Sequence, residues 1–327
     1  MPQYHAVMLL EAVRVIPFDE THHDAVVAFE NRFLPASQQW APERSRRWDR
    51  ENPDPDRLRV IVVDADDRII GTAFARSSEV VGKANGAYSV FARVDPAWQR
   101  RGIGGSLIAD MERHAREKDA PRTLTLTYAN EEAGIAYVER HGYREYSRRT
   151  RWALRLEAFD AGRYPAADEI ALDAAVTIAP LGDALSRIAD LRRQIYDAHR
   201  EIFSELPLPL RPNFSPFEKY APQLDDPEID RDASAVALRG DRLVGLIVIA
   251  LLDNGIASSI VTGTVGDGRG KRLGLALKLH ALDVLKRSRR ELVATLNDAD
   301  NAPTLRILRT LGFEPEPALI RFEKKLA

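Results

Sequence analysis

The stretch Gln99-Arg100-Arg101-Gly102-Ile103-Gly104 follows an apolar run from Tyr88 to Val94 across a turn at Asp95-Pro96. It leads directly into Leu107, Ile108, Met111 and Ala115, which recur at helical spacing. A strand, a glycine loop and a helix in that order aim the unpaired N–H groups of the first helical turn, and the positive end of the helix dipole, at one point. An anion is expected there. Gly102 and Gly104 permit close backbone approach, and Arg100 and Arg101 add charge suited to phosphate. A Walker-type loop would end in Gly-Lys-Ser/Thr, whereas this one continues Gly104-Gly105-Ser106. A dinucleotide fingerprint follows the first strand of its unit, whereas this loop follows a fourth.

Those earlier strands are predicted at Ala12 to Phe18, Leu58 to Val63 and Arg68 to Ala75, with His22-His23 at a helix start. After the loop helix come a β-branched strand at Thr123 to Thr127, a helix at Glu131 to Arg140 and a long strand segment at Tyr143 to Leu156. The order then repeats. Asp67-Arg68-Ile69-Ile70-Gly71 is mirrored by Asp241-Arg242-Leu243-Val244-Gly245 at an offset of 174 residues. Arg101-Gly102-Ile103-Gly104 is echoed by Lys271-Arg272-Leu273-Gly274, and His141-Gly142-Tyr143 by Leu311-Gly312-Phe313, both at an offset of 170. Three landmarks in one order argue for duplication.

The second half predicts a strand at Val176 to Ile178, a helical stretch from about Ala184 to Phe203, and strands near Ala233 to Leu238, Leu243 to Leu251 and Ile256 to Val265. A helix at Leu273 to Lys286, a strand at Leu292 to Leu296, a helix at Pro303 to Leu311 and a strand near Ile320 to Phe322 complete it. Each half reads as a mixed α/β domain. The expected organisation is 1–157, a linker over 158–175 containing Gly162 and Pro165, and 176–327. Six prolines between Leu206 and Pro227 exclude a single regular element there.

The chain has 327 residues, 45% hydrophobic and 29% charged, enough for two ordinary cores. A formal net charge of -2 gives no broad attraction to nucleic acid or an anionic membrane. The absence of cysteine excludes disulfides, thiolate zinc sites and a cysteine nucleophile. No apolar run is long enough to span a bilayer, and a cytoplasmic protein is expected. None of the 7 histidines stands at a metal-ligand spacing, so no metal is expected.

At the Gln99 to Gly104 loop the chain resembles the GNAT superfamily of N-acetyltransferases, whose signature is Gln/Arg-x-x-Gly-x-Gly/Ala between the fourth strand and third helix. Gln99, Gly102 and Gly104 fill the three specified positions. Asn130 and the Tyr137 to Tyr143 stretch extend the resemblance. The second loop, Arg269-Gly270-Lys271-Arg272-Leu273-Gly274, keeps Arg269 and Gly274 but carries Arg272 in place of a glycine. With Thr262 and Thr264 ahead of it and Asn297 and Asn301-Ala302-Pro303 after it, this half is similar to tandem actinobacterial GNAT proteins. The two-domain architecture is similar to that of mycothiol synthase.

The resemblance implies two tandem GNAT folds, each a twisted mixed sheet flanked by helices, and acetyl-CoA as cosubstrate without a metal. Acetyl would pass to a primary amine of a small molecule by direct attack on the thioester, which needs the reactants held together and two protons managed. It assigns CoA contacts to the strand residues Ala92, Arg93 and Val94, to Gln99, Arg100, Arg101, Gly102, Ile103, Gly104, Gly105 and Ser106, and to Asn130. In the second half it assigns Thr264, Arg269, Gly270, Lys271, Arg272 and Gly274.

The family's thiolate-protonating tyrosine falls at Val138 and Leu308, so both halves depart from the pattern. Tyr137 is adjacent and is the candidate acid, but one step along a helix turns a side chain by about 100°, which favours packing in the core. Glu30, Asp95, Glu131, Glu132, Asp197, His199 and Glu201 are the candidate bases. Arg144, Arg148, Arg149, Arg151 and Arg155 read as a solvated strand edge. Two such folds in one chain suggest a monomer. A CoA-binding regulator with inactive domains is the alternative.

Overall fold

The computed structural model describes residues 13–77, 86–204, 214–252 and 255–326. Leu58–Val63 (β2), with its run of valine and isoleucine, pairs antiparallel with Arg14–Pro17 (β1) and with Ile69–Ser77 (β3), which pairs in turn with Tyr88–Val94 (β4). β4 then meets Arg122–Tyr128 (β5) in parallel, joined at only two positions, Tyr88–Thr123 and Ser89–Leu124. Beyond Ser89 the two strands part.

The crossover between them is a 15-residue helix, Ile103–Glu117 (α3). It buries Ile103, Leu107, Met111 and Ala115 against Val60, Val62, Ala73, Ala75, Val90 and Val94 of the sheet. On the opposite face lie His23–Asn31 (α1) and Pro42–Glu51 (α2). α2 escapes the sequence reading because the stretch is nearly all charged, with Trp48 its one large apolar side chain. Proline at its first turn suits a helix start. Glu132–Arg140 (α4) follows β5.

The chain divides into two compact units, residues 1–148 with 319–327, and 149–318. They do not end where the duplicated sequence suggests, at 157 and 176. The strand Leu319–Lys325 (β13) completes the first unit, pairing antiparallel with β5 from Leu319–Tyr128 to Lys325–Arg122. Its Ile320 and Phe322, each 1% exposed, enter the α3 core; burial of each is worth about 1.5–3 kcal/mol. On the same strand, Lys324 places its ammonium 2.8 Å from both oxygens of the buried Glu112, which also accepts from the Tyr143 hydroxyl at 2.9 Å.

The strand Arg144–Arg155 (β6) supplies residues 149–155 to the second unit. There they pair with Leu292–Asp298 (β11), from Arg149–Asp298 to Arg155–Leu292, and with the short Glu314–Pro315 (β12). The arginine cluster thus lies on a paired strand and not on an edge, with Arg144, Arg148 and Arg155 exposed. Arg149 and Arg151 are half-buried on a paired strand, and Arg149 faces Asp298 at 3.6 Å.

The second unit orders its strands β6, β11, Ala257–Thr264 (β10), Arg242–Leu251 (β9), Ala235–Arg239 (β8) and Thr177–Pro180 (β7). Leu273–Arg287 (α9) covers one face with Leu273, Leu277, Leu282 and Leu285. The residues expected to form a linker carry a helix, Ala167–Asp173 (α5), whose Ile170 and Ala171 join this core. Leu181–Arg187 (α6) and Leu191–Ser204 (α7) cover the other face as two helices where one was expected, the chain leaving helical conformation at Ile188. Phe217–Tyr220 (α8) and Ala302–Thr310 (α10) complete the unit. Pro207, Pro209 and Pro212 lie outside the described residues, as do Met8 to Ala12.

Candidate functional site

In the first unit the glycine loop opens at the end of β4, on the side where β4 and β5 separate. Asp95 caps the short turn after the strand by accepting from the Ala97 N–H, and Gln99 closes the loop by donating to the Val94 carbonyl at 2.9 Å. Arg100 and Gly102 both take left-handed backbone angles, φ 64 and 85, and Gly102 is the cap of α3. The first helical N–H to return to the loop is that of Ser106, bonded to the Gly102 carbonyl at 3.0 Å. The amides of Ile103, Gly104 and Gly105 precede it with no place in the helical ladder. Such a cradle suits a phosphate.

Arg100 is exposed and makes no side-chain bond among the described residues, whereas Arg101 lies 4.8 Å over the Trp98 ring and donates to the Ala97 carbonyl. An added Cβ at Gly104 would meet only Val94 Cγ2, at 3.7 Å, so the space over the loop is open.

Tyr137 reaches this loop. Its ring lies 3.5 Å from where a Cβ on Gly105 would be, and its hydroxyl donates to the Gly105 carbonyl at 3.4 Å. Burial holds its phenol above the ordinary tyrosine range. Val138, the next residue on α4, is packed in the core. The one-residue phase difference therefore directs Tyr137 to the loop and Val138 away from it. Asn130 is exposed in the turn between β5 and α4.

Ala92, Arg93 and Val94 lie on the part of β4 that has lost its β5 partner. Ala92 and Val94 face the α3 core, while the buried Arg93 side chain points to the α1 face. There it donates to Glu30 at 3.1 Å and to Glu131 at 3.3 Å. Glu30 also accepts from the Thr72 hydroxyl, and burial, which outweighs the pull of Arg93, keeps its carboxyl above the usual range. Glu30 lines a cavity of about 430 Å³ together with Trp40, Trp48, Asp49, Arg57 and Phe74. Sequence reading found Glu30 and Glu131 separately. Their union through Arg93 needed the sheet, because the strand's alternation alone does not say which helix covers that face.

The second unit repeats the loop with its parts exchanged. Left-handed angles fall at Gly270 and Arg272, φ 72 and 61, at positions corresponding to Arg100 and Gly102. Each loop thus has the same turn, with glycine at one of the two sites and arginine at the other. Arg269 takes the place of Gln99, donating to the Thr264 carbonyl at 3.4 Å. Glu201 of α7 accepts from Arg269 and from the Gly266 N–H. Lys271 and Arg272 are exposed, and Gly274 sits in the first turn of α9. The two sets of sequence-assigned residues lie in different units.

His199 is packed among aromatic rings, with Phe203, Phe214 and Tyr220 at 4.6, 5.9 and 5.4 Å, and Nδ1 is 2.9 Å from the Tyr220 hydroxyl. Burial lowers its pKa to about 4. Among the described residues no group of His, Asp and Glu side chains is arranged to hold a metal, and no helix is long and apolar enough to cross a membrane.

Residues 23–143 match the acetyltransferase (GNAT) family. No curated protein sequence matches the chain. A GCN5-related N-acetyltransferase from Sphaerobacter thermophilus aligns with a TM-score of 0.75 at 19% identity, over 97% of this chain and 96% of that one. A tandem GNAT protein from the clavulanic acid biosynthesis pathway aligns at 0.67 and 19%, over 96% of this chain and 98% of that one. The glucosamine N-acetyltransferase region of a fungal multi-domain β-N-acetylglucosaminidase aligns at 0.66 and 12%, over 97% of this chain but 38% of that one. These likenesses establish the fold: two GNAT folds in tandem. The family match over 23–143 supports an acyltransferase.

Proposed function

With the acetyltransferase match of residues 23–143 as the premise, we propose that this chain transfers acetyl from acetyl-CoA to a primary amine of a small molecule, using the first unit. The observation that carries the reading is the loop from Gln99 to Ser106, with its left-handed Gly102 and its free helical amides at the point where β4 and β5 part. These amides and Arg100 would hold the pyrophosphate. The edge of β4 from Val90 to Val94, released from β5, would bond the pantetheine arm and polarise the thioester carbonyl.

The cavity beside Glu30 is the place for the acceptor. Its two tryptophans and Phe74 suit an amine's carbon frame; its carboxylates are held by arginines, Glu30 by Arg93 and Asp49 by Arg57 and Arg59, so the ammonium would displace or share those pairs. Glu30, with a carboxyl biased toward protonation by burial, takes the proton that the ammonium must lose. The amine nitrogen then attacks the carbonyl carbon and the C–N bond forms; as the C–S bond breaks, the electron pair leaves on sulfur and the nitrogen releases its second proton to solvent, which leaves the neutral amide. Tyr137, the residue of α4 that faces the loop, is assigned as proton donor to that thiolate. A monomer in the cytoplasm fits the near-neutral, cysteine-free composition.

Gly104→Asp tests the reading. A Cβ there makes only an ordinary contact with Val94, so the helix is expected to fold, while the carboxylate opposes the pyrophosphate. Acetylation across an amine panel should fall at least a hundredfold, with Gly104→Ala retaining most of it. Undiminished turnover by the aspartate variant would refute the assignment.

A further inference from the structure

The cavity beside Glu30 is unequal at its two ends. Its floor is one face of the sheet, where residues two apart along each strand line up in rows. One row joins Thr72 of β3 to Arg93 of β4, and there Glu30 accepts from both side chains. The next row joins Arg59, Phe74 and Phe91, the two phenyl rings stacked at 5.5 Å. The row beyond holds Arg76, whose guanidinium lies 4.4 Å from the centre of the Trp48 ring on α2.

The end away from Glu30 carries excess positive charge. Arg57 also lies against Trp48, at 5.4 Å, so three guanidiniums, with Arg59, line that end. Asp49 is the carboxylate that lines it, and it is shared by Arg57 and Arg59, with His23 3.4 Å away. Asp54, close by in sequence, accepts from the amide and hydroxyl of Ser77. Burial, with the Arg57 charge beside it, holds the Arg59 guanidinium below its ordinary range in spite of Asp49. Arg57 donates besides to the Asn52 carbonyl at 2.8 Å, but its Nε is buried with no acceptor among the described residues. A buried donor left without a partner is costly, and an oxygen brought in by a ligand would relieve it.

The strand sets the distance between the ends. Thr72 and Arg76 are four residues apart on β3, about 13 Å at the rise of an extended strand. The Arg76 guanidinium also lies 5.7 Å over Phe74, so it leans back along the floor toward Glu30. An α-amino acid, whose amine and carboxylate share one carbon, is too short to touch both ends. A ligand that reaches both holds the two groups at opposite ends of an apolar spacer lying over Phe74, and about 430 Å³ accommodates one.

We propose that the acceptor is a primary amine carrying a carboxylate at the far end of a flat or apolar spacer, its amine beside Glu30 and its carboxylate on Arg57 and Arg76. The planar fork of a guanidinium takes both oxygens of a carboxylate, and Trp48 and Phe74 offer ring faces to the spacer. The inference rests on the reading of the first unit as the transferring one and deepens it by naming the class of acceptor. The carboxylate takes no part in the bonds made and broken. Its charge selects the acceptor, and its anchorage fixes the amine beside Glu30.

The test compares 4-(aminomethyl)benzoate with its uncharged isostere 4-(aminomethyl)benzamide, and with L-phenylalanine, as acceptors for the full chain. The benzoate should exceed the benzamide by at least about tenfold in kcat/KM, the difference lying in KM, as a lost hydrogen bond to a charged group implies. L-Phenylalanine should be the poorer acceptor of the two amino acids. Arg76→Met and Arg57→Met should each lower the benzoate-to-benzamide ratio toward one; a merely structural arginine would lower both activities alike and keep the ratio. An equal or reversed ratio in the parent chain, a preference for L-phenylalanine, or a ratio that survives both substitutions would overturn the proposal. If no amine is acetylated, the transfer reading of the first unit fails, and calorimetric binding of the same ligands decides this one. Binding that needs the carboxylate and is lost in the variants supports it, whereas equal or absent binding overturns it.

Discussion

Replacing Lys278 by methionine should make the protein more stable at neutral pH, an unusual expectation for a fully buried, hydrogen-bonded side chain. Methionine has a similar length and keeps the apolar stem in contact with α9 and β10. The lysine pKa falls from the ordinary value of about 10.4 to about 8. At 1.36 kcal/mol for each pKa unit this is about 3 kcal/mol of destabilisation below pH 8, where folded and unfolded chains both carry the charge. Between pH 8 and about 10.4 the unfolded chain binds the extra proton, so stability rises with pH and the penalty disappears. The variant should therefore exceed the parent by up to about 3 kcal/mol at pH 7, and the difference should shrink toward zero near pH 10.5. Thr262 keeps its bond to Ser259, so little is lost in exchange. Urea unfolding of both proteins at the two pH values, followed through the second unit's transition, measures this. A variant less stable than the parent at pH 7, or a difference independent of pH, would show that the ammonium has a compensating partner.

Arg272→Gly should relieve a left-handed arginine at φ 61 and raise stability by about 0.5–1 kcal/mol in thermal melts, whereas Gly102→Ala should lower it by a similar amount. Gly268→Ala drives a Cβ into the Val244 carbonyl oxygen, a backbone atom that cannot step aside, and should destabilise the second unit by about 1–3 kcal/mol in denaturant titrations. His199, with its pKa lowered to about 4, supports a fold that is fully stable above about pH 6.5 and weakens as pH falls toward 4, by about 2–3 kcal/mol. His199→Phe should flatten that acid limb of the stability profile.

The strand and helix pattern around Gln99 was open to sequence reading because its signals are local: two glycines, a proline turn and an apolar stripe. The phase of Tyr137 was not open to it: one helical step from the expected position suggested the core, and the folded structure both packs its ring against the core and brings it to Gly105. α2 was hidden because it is held by the half-buried Trp48, with Arg57 and Arg76 over its ring, and by ion pairs such as Arg57 with Asp49, not by an apolar period. α5 was hidden by its shortness and its alanines. The exchange of β6 and β13 could not be read at all, for Leu319–Lys325 carries no mark of which parallel strand it will join. Nothing in the charge of Lys278 tells that it is buried; its apolar neighbours Ala276, Leu277 and Leu279 are the sequence hint that the whole turn is enclosed.

That exchange sets a timetable for the nascent chain. The first unit lacks its last strand until residues 319–325 emerge, long after Arg148. At roughly 5–20 residues per second the wait is on the order of 10 to 35 seconds. Throughout it, β5 is tied to β4 by two rows and offers a bare edge to any passing strand. The second unit receives its strand from β6 early, so it is equipped to mature first. The half that carries the better glycine loop is thus born first and finished last.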